Sequence, residues 1–243
     1  MAFQVPTTSL NSILPQLDII PQLVSVYNTV KQFVDGTIDQ CSLKLFGYPE
    51  DKPVLWLVLK KPKFSMNILL IQADAKDKDV TEQGVTAIFQ LLKDELRNLE
   101  SVLFIASEEI LETVSLEMQK LGSHPHLTDN TPYSLFYMDQ DQRDRVMTEH
   151  LTLPEGFSFV DLDPEKDAKI ISEQWFQAGK GNLDEIKERL RTMPSAAIKH
   201  DLTGRIVSFE YCSGYGQITH HFTFPEFRRQ GLGRLVELRL CQK

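Results

Sequence analysis

Thr223 to Leu235 reads T-F-P-E-F-R-R-Q-G-L-G-R-L, and the fold turns on this stretch. The residues leading into it, Gln217–Phe224, alternate as a strand, and those from Gly231 onward carry a helical pattern. A loop with two glycines therefore joins a strand to a helix. A helix N-terminus exposes unpartnered backbone N–H groups and a partial positive charge, so it suits a phosphate. Gly231 and Gly233 let the backbone approach a ligand closely. Arg228, Arg229 and Arg234 flank the loop and can add charge-assisted contacts to phosphate oxygens. The competing reading is a strand–turn–helix with solvated arginines, since a lone G-x-G often only shapes a turn.

Context favours the phosphate. Upstream, Phe157–Leu162 alternates as a strand, Glu165–Ala178 and Leu183–Met193 read as helices, and Ser195–Lys199 and Gly204–Tyr211 read as strands joined by the turn Asp201–Gly204. The N-terminal part is a separate cycle. Leu10–Phe33 is mostly helical, broken at Pro15 and Pro21. Strands are expected at Ser42–Tyr48, Val54–Leu59, Asn67–Gln72, Ser101–Ala106 and Pro132–Met138. Helices are expected at Thr81–Leu99, capped by Thr81, and at Glu108–Leu121, stopped by Gly122. The helix face Val85–Leu96 is read as core. The fold class is α/β with mixed sheets. A polar stretch at 139–154 is the expected linker, giving domains 1–150 and 151–243.

Composition narrows the function. The chain has 243 residues, 42% hydrophobic and 25% charged, with a formal charge of −8. Residues 1–150 carry 13 Lys/Arg against 21 Asp/Glu, whereas 151–243 carry 13 of each, so the second half is better suited to an anionic ligand. The acidic balance argues against nucleic acid as a partner. No apolar run approaches ~18 residues, so no membrane insertion is expected. Three cysteines, Cys41, Cys212 and Cys241, without C-x-x-C spacing, make neither a disulfide framework nor a zinc cage. The reading is intracellular, cytoplasmic or mitochondrial, with no convincing presequence. His124-Pro125-His126 lacks a third ligand at metal spacing, so no metal is expected there. Cys212 reads as a buried structural thiol, Trp175 and Phe176 as core rather than an acyl pocket, and Lys60-Lys61-Pro62-Lys63 as a solvated turn.

These residues carry a family resemblance. Arg228-Arg229-Gln230-Gly231-Leu232-Gly233 looks like the acyl-CoA pyrophosphate loop, [RQ]-x-x-G-x-[GA], of the GNAT acyltransferase superfamily. The approach F-T-F-P-E-F-R resembles the T-L-P-E-Y-R signature of the glycine N-acyltransferase-like family. Trp175, the Gly179–Gly181 pair, Met193-Pro194-Ser195 and Thr203–Ser208 follow that family's order over about residues 157–243. Ser42–Gly47 is a weaker echo of its S-L-K-V-Y-G. The resemblance implies a degenerate GNAT-like N-terminal domain and a C-terminal GNAT domain. It implies transfer of an acyl group from acyl-CoA, as co-substrate, to the amine of a small acceptor such as glycine, by direct attack in a ternary complex.

Roles carry over by position. The amides from Arg229 through Gln230, Gly231, Leu232 and Gly233 to Arg234 would cradle the CoA pyrophosphate. The edge at Phe222, Thr223 and Phe224 would hold the pantetheine arm. The family's proposed base is a glutamate nine residues before the glutamate of P-E, and here that position is Gln217, which cannot take a proton. His220 and His221 fall on opposite faces of the strand. His220 is the preferred base because it shares its side with Phe222 and Phe224. The family's fold continues past the helix with a strand, a helix and a hairpin, so the chain reads as C-terminally truncated. The alternatives are a catalytically weak or inactive CoA-binding protein and, behind it, a protein acetyltransferase.

Overall fold

A computed structural model describes residues 1–18, 21–38, 40–74, 77–122, 131–174 and 182–243. The chain forms two compact units, 1–36 with 41–135, and 37–40 with 136–243. His124–His126, Trp175, Phe176 and Gly179–Gly181 lie outside the described residues.

Unit 1 is built on a five-stranded sheet of order β1-β2-β3-β4-β5. Its strands are β1 (Phe3–Val5), β2 (Cys41–Tyr48), β3 (Leu55–Pro62), β4 (Asn67–Ala73) and β5 (Val102–Ala106). The first four pair antiparallel, and β5 lies parallel to β4 after a helical crossover. Helices α1 (Leu10–Asp18) and α2 (Val24–Asp35) precede β2, and α3 (Lys78–Arg97) and α4 (Glu108–Leu121) flank β5. Val85, Ile88, Phe89, Leu92 and Leu96 recur at helical spacing along α3. They bury against Leu55, Leu57, Leu59, Leu69 and Ile71 of the sheet. The face Val85–Leu96 is therefore core.

The local details differ from the sequence reading at five places, the first being Pro15, which lies inside α1 rather than starting or breaking a segment. Asp77, not Thr81, caps α3, accepting from the Asp79 and Val80 amides. Thr81 sits one turn inside and donates to the Asp77 carbonyl at 3.1 Å. Lys60 and Lys61 belong to β3 rather than a solvated turn: Lys60 is fully buried, and Lys61 pairs with Glu95. Pro132–Met138 is not a strand. It alternates suitably, but no neighbouring strand pairs with it among the described residues, and Phe136 is 89% exposed. The polar stretch after it holds a helix, α5 (Gln140–Thr148). A reciprocal capping box starts this helix, with Gln142 N to Asp139 Oδ1 at 2.8 Å and Asp139 N to Gln142 Oε1 at 2.9 Å.

Unit 2 carries a four-stranded antiparallel sheet in chain order: β6 (Phe157–Val160), β7 (Ser195–His200), β8 (Ile206–Cys212) and β9 (Ile218–Thr223). Helices α6 (Ala168–Glu173) and α7 (Asn182–Thr192) bring Ile171, Ile186 and Leu190 onto Ala197, Phe209 and Tyr211. Helix α8 (Leu232–Cys241) packs on β7, β8 and β9 from the other face, where Gly233 meets His221 and Thr223. The fold is thus α/β with two mixed-composition units, each with its own sheet. Among the described residues no helix is long and apolar enough to cross a membrane.

Candidate functional site

The site grows from β8, β9 and the loop after them. Every residue of β8 is buried, whereas β9 is an edge strand with half-exposed residues. Phe209 pairs with Phe222, but Tyr211 pairs with Thr219, so the register slips by one residue between them. His220 lies at the slip with φ +56°. Among the described residues only His220 and Arg229 (φ +65°) are left-handed without being glycine. Such a backbone is strained for a side chain with a Cβ, and it persists where the surroundings impose it.

The slip aims the imidazole. His220 stacks on Tyr211, ring centroids 4.6 Å apart and planes 19° off parallel. Burial, helped by the Arg189 charge, pushes its pKa down to about 4. The ring is therefore neutral at pH 7. Phe222 follows on the same side, against Phe209 at 5.8 Å and edge-on to Phe224 at 5.1 Å. The structure thus brings His220, Phe222 and Phe224 onto one face. His221 takes the opposite face beside Glu210. Gln217 falls before β9, in a tight turn where its carbonyl accepts from Ser213 N at 2.7 Å and its own amide donates to Ser213 Oγ at 3.1 Å.

Downstream, Pro225–Phe227 makes one 3-10 turn, and Arg229 and then Gly231 turn left-handed before α8 begins. Gly231, at φ +79°, is the N-cap and offers no side-chain cap. The first α8 amides have no intrahelical acceptor, so the loop presents a cluster of donors suited to an anion. Leu232 and Phe224 are buried anchors on either side of the loop.

The two glycines differ in kind. Gly231 is required by its left-handed backbone. A Cβ on Gly233 would lie 3.0 Å from His221 Nε2 and 3.4 Å from Thr223 Oγ1, so that glycine makes room for protein. This amends the reading in which both glycines serve ligand approach.

The arginines differ too. Arg228 folds back, donating to the Thr223 carbonyl at 2.8 Å and lying over Phe222. Arg234 pairs with Glu149 at 2.9 Å. Arg229 has no ion pair or hydrogen bond recorded among the described residues, which leaves it the readiest of the three for a ligand. Gln230 is exposed beside it.

Three residues escaped sequence reading. Glu210, on β8, is 3% exposed; burial and then the Glu237 charge push its pKa up to about 8. Its Oε2 has no partner, and Oε1 lies 3.8 Å from His221 Nδ1, beyond hydrogen-bond reach. Tyr211 is fully buried, with its Oη also unpartnered. Arg189 of α7 is buried and paired with Glu185. A charged residue on the Ser208–Glu210–Cys212 face of an otherwise apolar strand was the available signal for Glu210. Cys212 is a buried thiol whose pKa burial raises to about 11, which suits a structural role rather than a nucleophile. Among the described residues no three metal ligands cluster.

No family model matches the chain, and no curated protein matches its sequence. Solved structures do. An X-ray structure of a Drosophila protein superposes with a TM-score of 0.70 at 14% identity, covering 99% of this chain and 84% of that one. A tandem GNAT protein from the clavulanic acid biosynthesis pathway, solved without AcCoA, has a TM-score of 0.46 at 13% identity, covering 98% of this chain and 83% of its own. A GCN5-related N-acetyltransferase from Sphaerobacter thermophilus has a TM-score of 0.46 at 12% identity, covering 100% and 81%. The last two superpose too loosely to carry an argument. The first shows that this chain shares, over nearly its whole length, the fold of the Drosophila protein.

Proposed function

We propose that unit 2 is a GNAT-type acyltransferase domain that passes an acyl group from acyl-CoA to the amine of a small acceptor such as glycine. One observation carries the reading: the two left-handed non-glycine residues among the described ones, His220 and Arg229, bracket the Phe222–Phe224 edge that leads to an uncapped helix N-terminus. Strain collected along one strand-to-loop path is what a built site looks like.

In this reading the α8 amides and Arg229 hold the CoA pyrophosphate. The open side of β9 pairs with the amide-bearing pantetheine arm as an added strand would. The thioester then lies near the slip, where a bulge frees backbone donors to polarise its carbonyl. The acceptor nitrogen attacks the thioester carbon. The C–N bond forms, the C–S bond breaks with its electron pair going to sulfur, and the amine gives up one proton. Neutral His220 accepts that proton and returns it to the thiolate, so amide and free CoA leave with all atoms accounted for. A base near pKa 4 pulls weakly on an amine, so orientation supplies most of the rate.

That low basicity, with Gln217 at the resemblance's base position, favours a second reading: a CoA-binding module without turnover. Thermal-shift titration with CoA, acetyl-CoA and benzoyl-CoA, followed by a thiol-release assay with glycine, separates them. A saturable shift plus acceptor-dependent thiol release is expected. A shift without release under any small amine selects the binding module, and no shift with any of the three overturns both.

A further inference from the structure

The helical face behind His220 holds a second polar cluster. Arg189 projects from α7 and is 6% exposed. Its Nη2 pairs with Glu185, but its Nε is sealed from solvent with no hydrogen-bond partner. Tyr211 Oη is in the same condition, and the Tyr211 ring is the platform on which His220 stacks. Helix α7 packs on β8, and Ile186 and Leu190, which flank Arg189 along the helix, share one core with Tyr211; Tyr211, Tyr215 and His220 also feel the Arg189 charge.

The unmet groups are both donors. Guanidinium N–H has no acceptor capacity, and a phenol well above its normal pKa range stays protonated and can donate. Two buried donors, one cationic, call for an anionic acceptor. Glu185 pairs with Nη2 and leaves the Nε–H without an acceptor, so a carboxylate oxygen shared between Nε and Tyr211 Oη fits this corner better than a more highly charged phosphate. The same platform carries the imidazole that takes the amine's proton. A ligand that fits both ends bears an amine and a carboxylate on one carbon.

We propose that Arg189, with Tyr211 Oη beside it, receives the carboxylate of a free amino acid whose amine is presented to His220. The proposal rests on the acyl-transfer reading and names the residues that give that site its acceptor preference.

Calorimetric titration of the full chain, with and without saturating CoA, tests it using N-acetylglycine and its uncharged twin N-acetylglycinamide. Wild type should bind the acid at least tenfold more tightly than the amide. Arg189→Gln should erase that gap while CoA still shifts melting, and Tyr211→Phe should narrow it severalfold. Arg189→Gln strands Glu185, so Arg189→Gln/Glu185→Gln is the folded control, checked by circular dichroism. In turnover, Arg189→Gln should raise KM for glycine at least tenfold and raise KM for glycinamide several times less. Equal affinities in wild type, no binding of either ligand, or a gap that survives in both Arg189 variants overturns the proposal. Failure of the underlying reading shows separately, as absent thiol release or an absent CoA shift, because the acid–amide gap is read without turnover.

Discussion

The two sheets of this chain are built to different standards. In unit 1, Leu55, Leu57, Leu59, Leu69 and Ile71 make a dry, regular interface with α3, and every pair of adjacent strands keeps an unbroken register. Its buried charges are satisfied: Glu117 takes Thr86 Oγ1 at 3.0 Å and Lys120 Nζ at 2.7 Å, and Lys60 is not without a partner. In unit 2 the register slips twice, once between β7 and β8 and once between β8 and β9. Glu210, Tyr211 and Arg189 each bury a polar atom with no partner. Gln32 Oε1 is the counterpart in unit 1. Folding alone selects against such defects, so a region that concentrates them is kept for another reason. On the proposed function, unit 1 is scaffold and unit 2 the part that carries the chemistry.

The largest effect should come from the regular sheet. Leu57 is fully buried under α3, and Leu57→Ala opens a cavity there. The expected loss is roughly 3–5 kcal/mol, read by amide exchange in β2–β4. A loss under about 1 kcal/mol would mean that unit 1 is loosely packed, and the contrast would fail.

Next comes Glu210, through pH. Its folded pKa of about 8 lies above the ordinary 4.5. Between those values the folded chain holds a proton that the unfolded chain has released, so stability falls as pH rises, and the full cost is present above about pH 8. His220 has the opposite sense. With a folded pKa of about 4 against 6.5, the unfolded chain binds the proton first, so stability rises with pH across that window. The two oppose each other up to about pH 6.5, and Glu210 acts alone beyond it. Unit 2 should therefore hold a level stability from about pH 4.5 to 6.5 and decline toward pH 8.5. Glu210→Gln should remove the decline, a gain of about 4–5 kcal/mol at pH 8.5. A wild-type profile flat from pH 6.5 to 8.5 would show that Glu210 is satisfied and the contrast overstated.

How much of this was legible in sequence follows the same division. Regular pieces were readable because pattern and outcome share one cause: the α3 stripe, the β8 run and the Gly122 stop. The loop Arg228–Arg234 was readable because its glycines mark backbone that departs from the ordinary. The slip at His220 was not, since alternation reports which side a residue takes and says nothing of φ. Arg189 hid as an i,i+4 pair with Glu185, which in sequence is indistinguishable from a solvated helix face. Pro132–Met138 misled because propensity supplies a strand's residues but not its neighbour. The polar helix α5 was missed because hydrophobic period was the criterion, although Asp139-x-x-Gln142 had already signed its start.

The glycines sharpen the contrast at smaller scale. Gly231→Ala should cost about 1–2 kcal/mol whatever stands near it, because no neighbour relieves a left-handed backbone. Gly233→Ala should cost about 1 kcal/mol and recover in Gly233→Ala/His221→Ala, because the obstacle is the imidazole 3.0 Å away. A Gly233→Ala cost that His221→Ala does not relieve would return that glycine to the ligand.

Tyr211→Phe should have the smallest effect on stability and the most telling sign. Removing a buried tyrosine hydroxyl ordinarily forfeits a hydrogen bond. Here Oη has no partner to lose, while its desolvation cost disappears with it. The variant should be more stable by about 0.5–1 kcal/mol while discriminating less between N-acetylglycine and its amide. Stability gained together with preference lost means that the hydroxyl is held for a ligand rather than for the fold. A loss of stability with the preference intact would mean that Oη has found its partner inside the protein, and that this corner of unit 2 is as well satisfied as the core of unit 1.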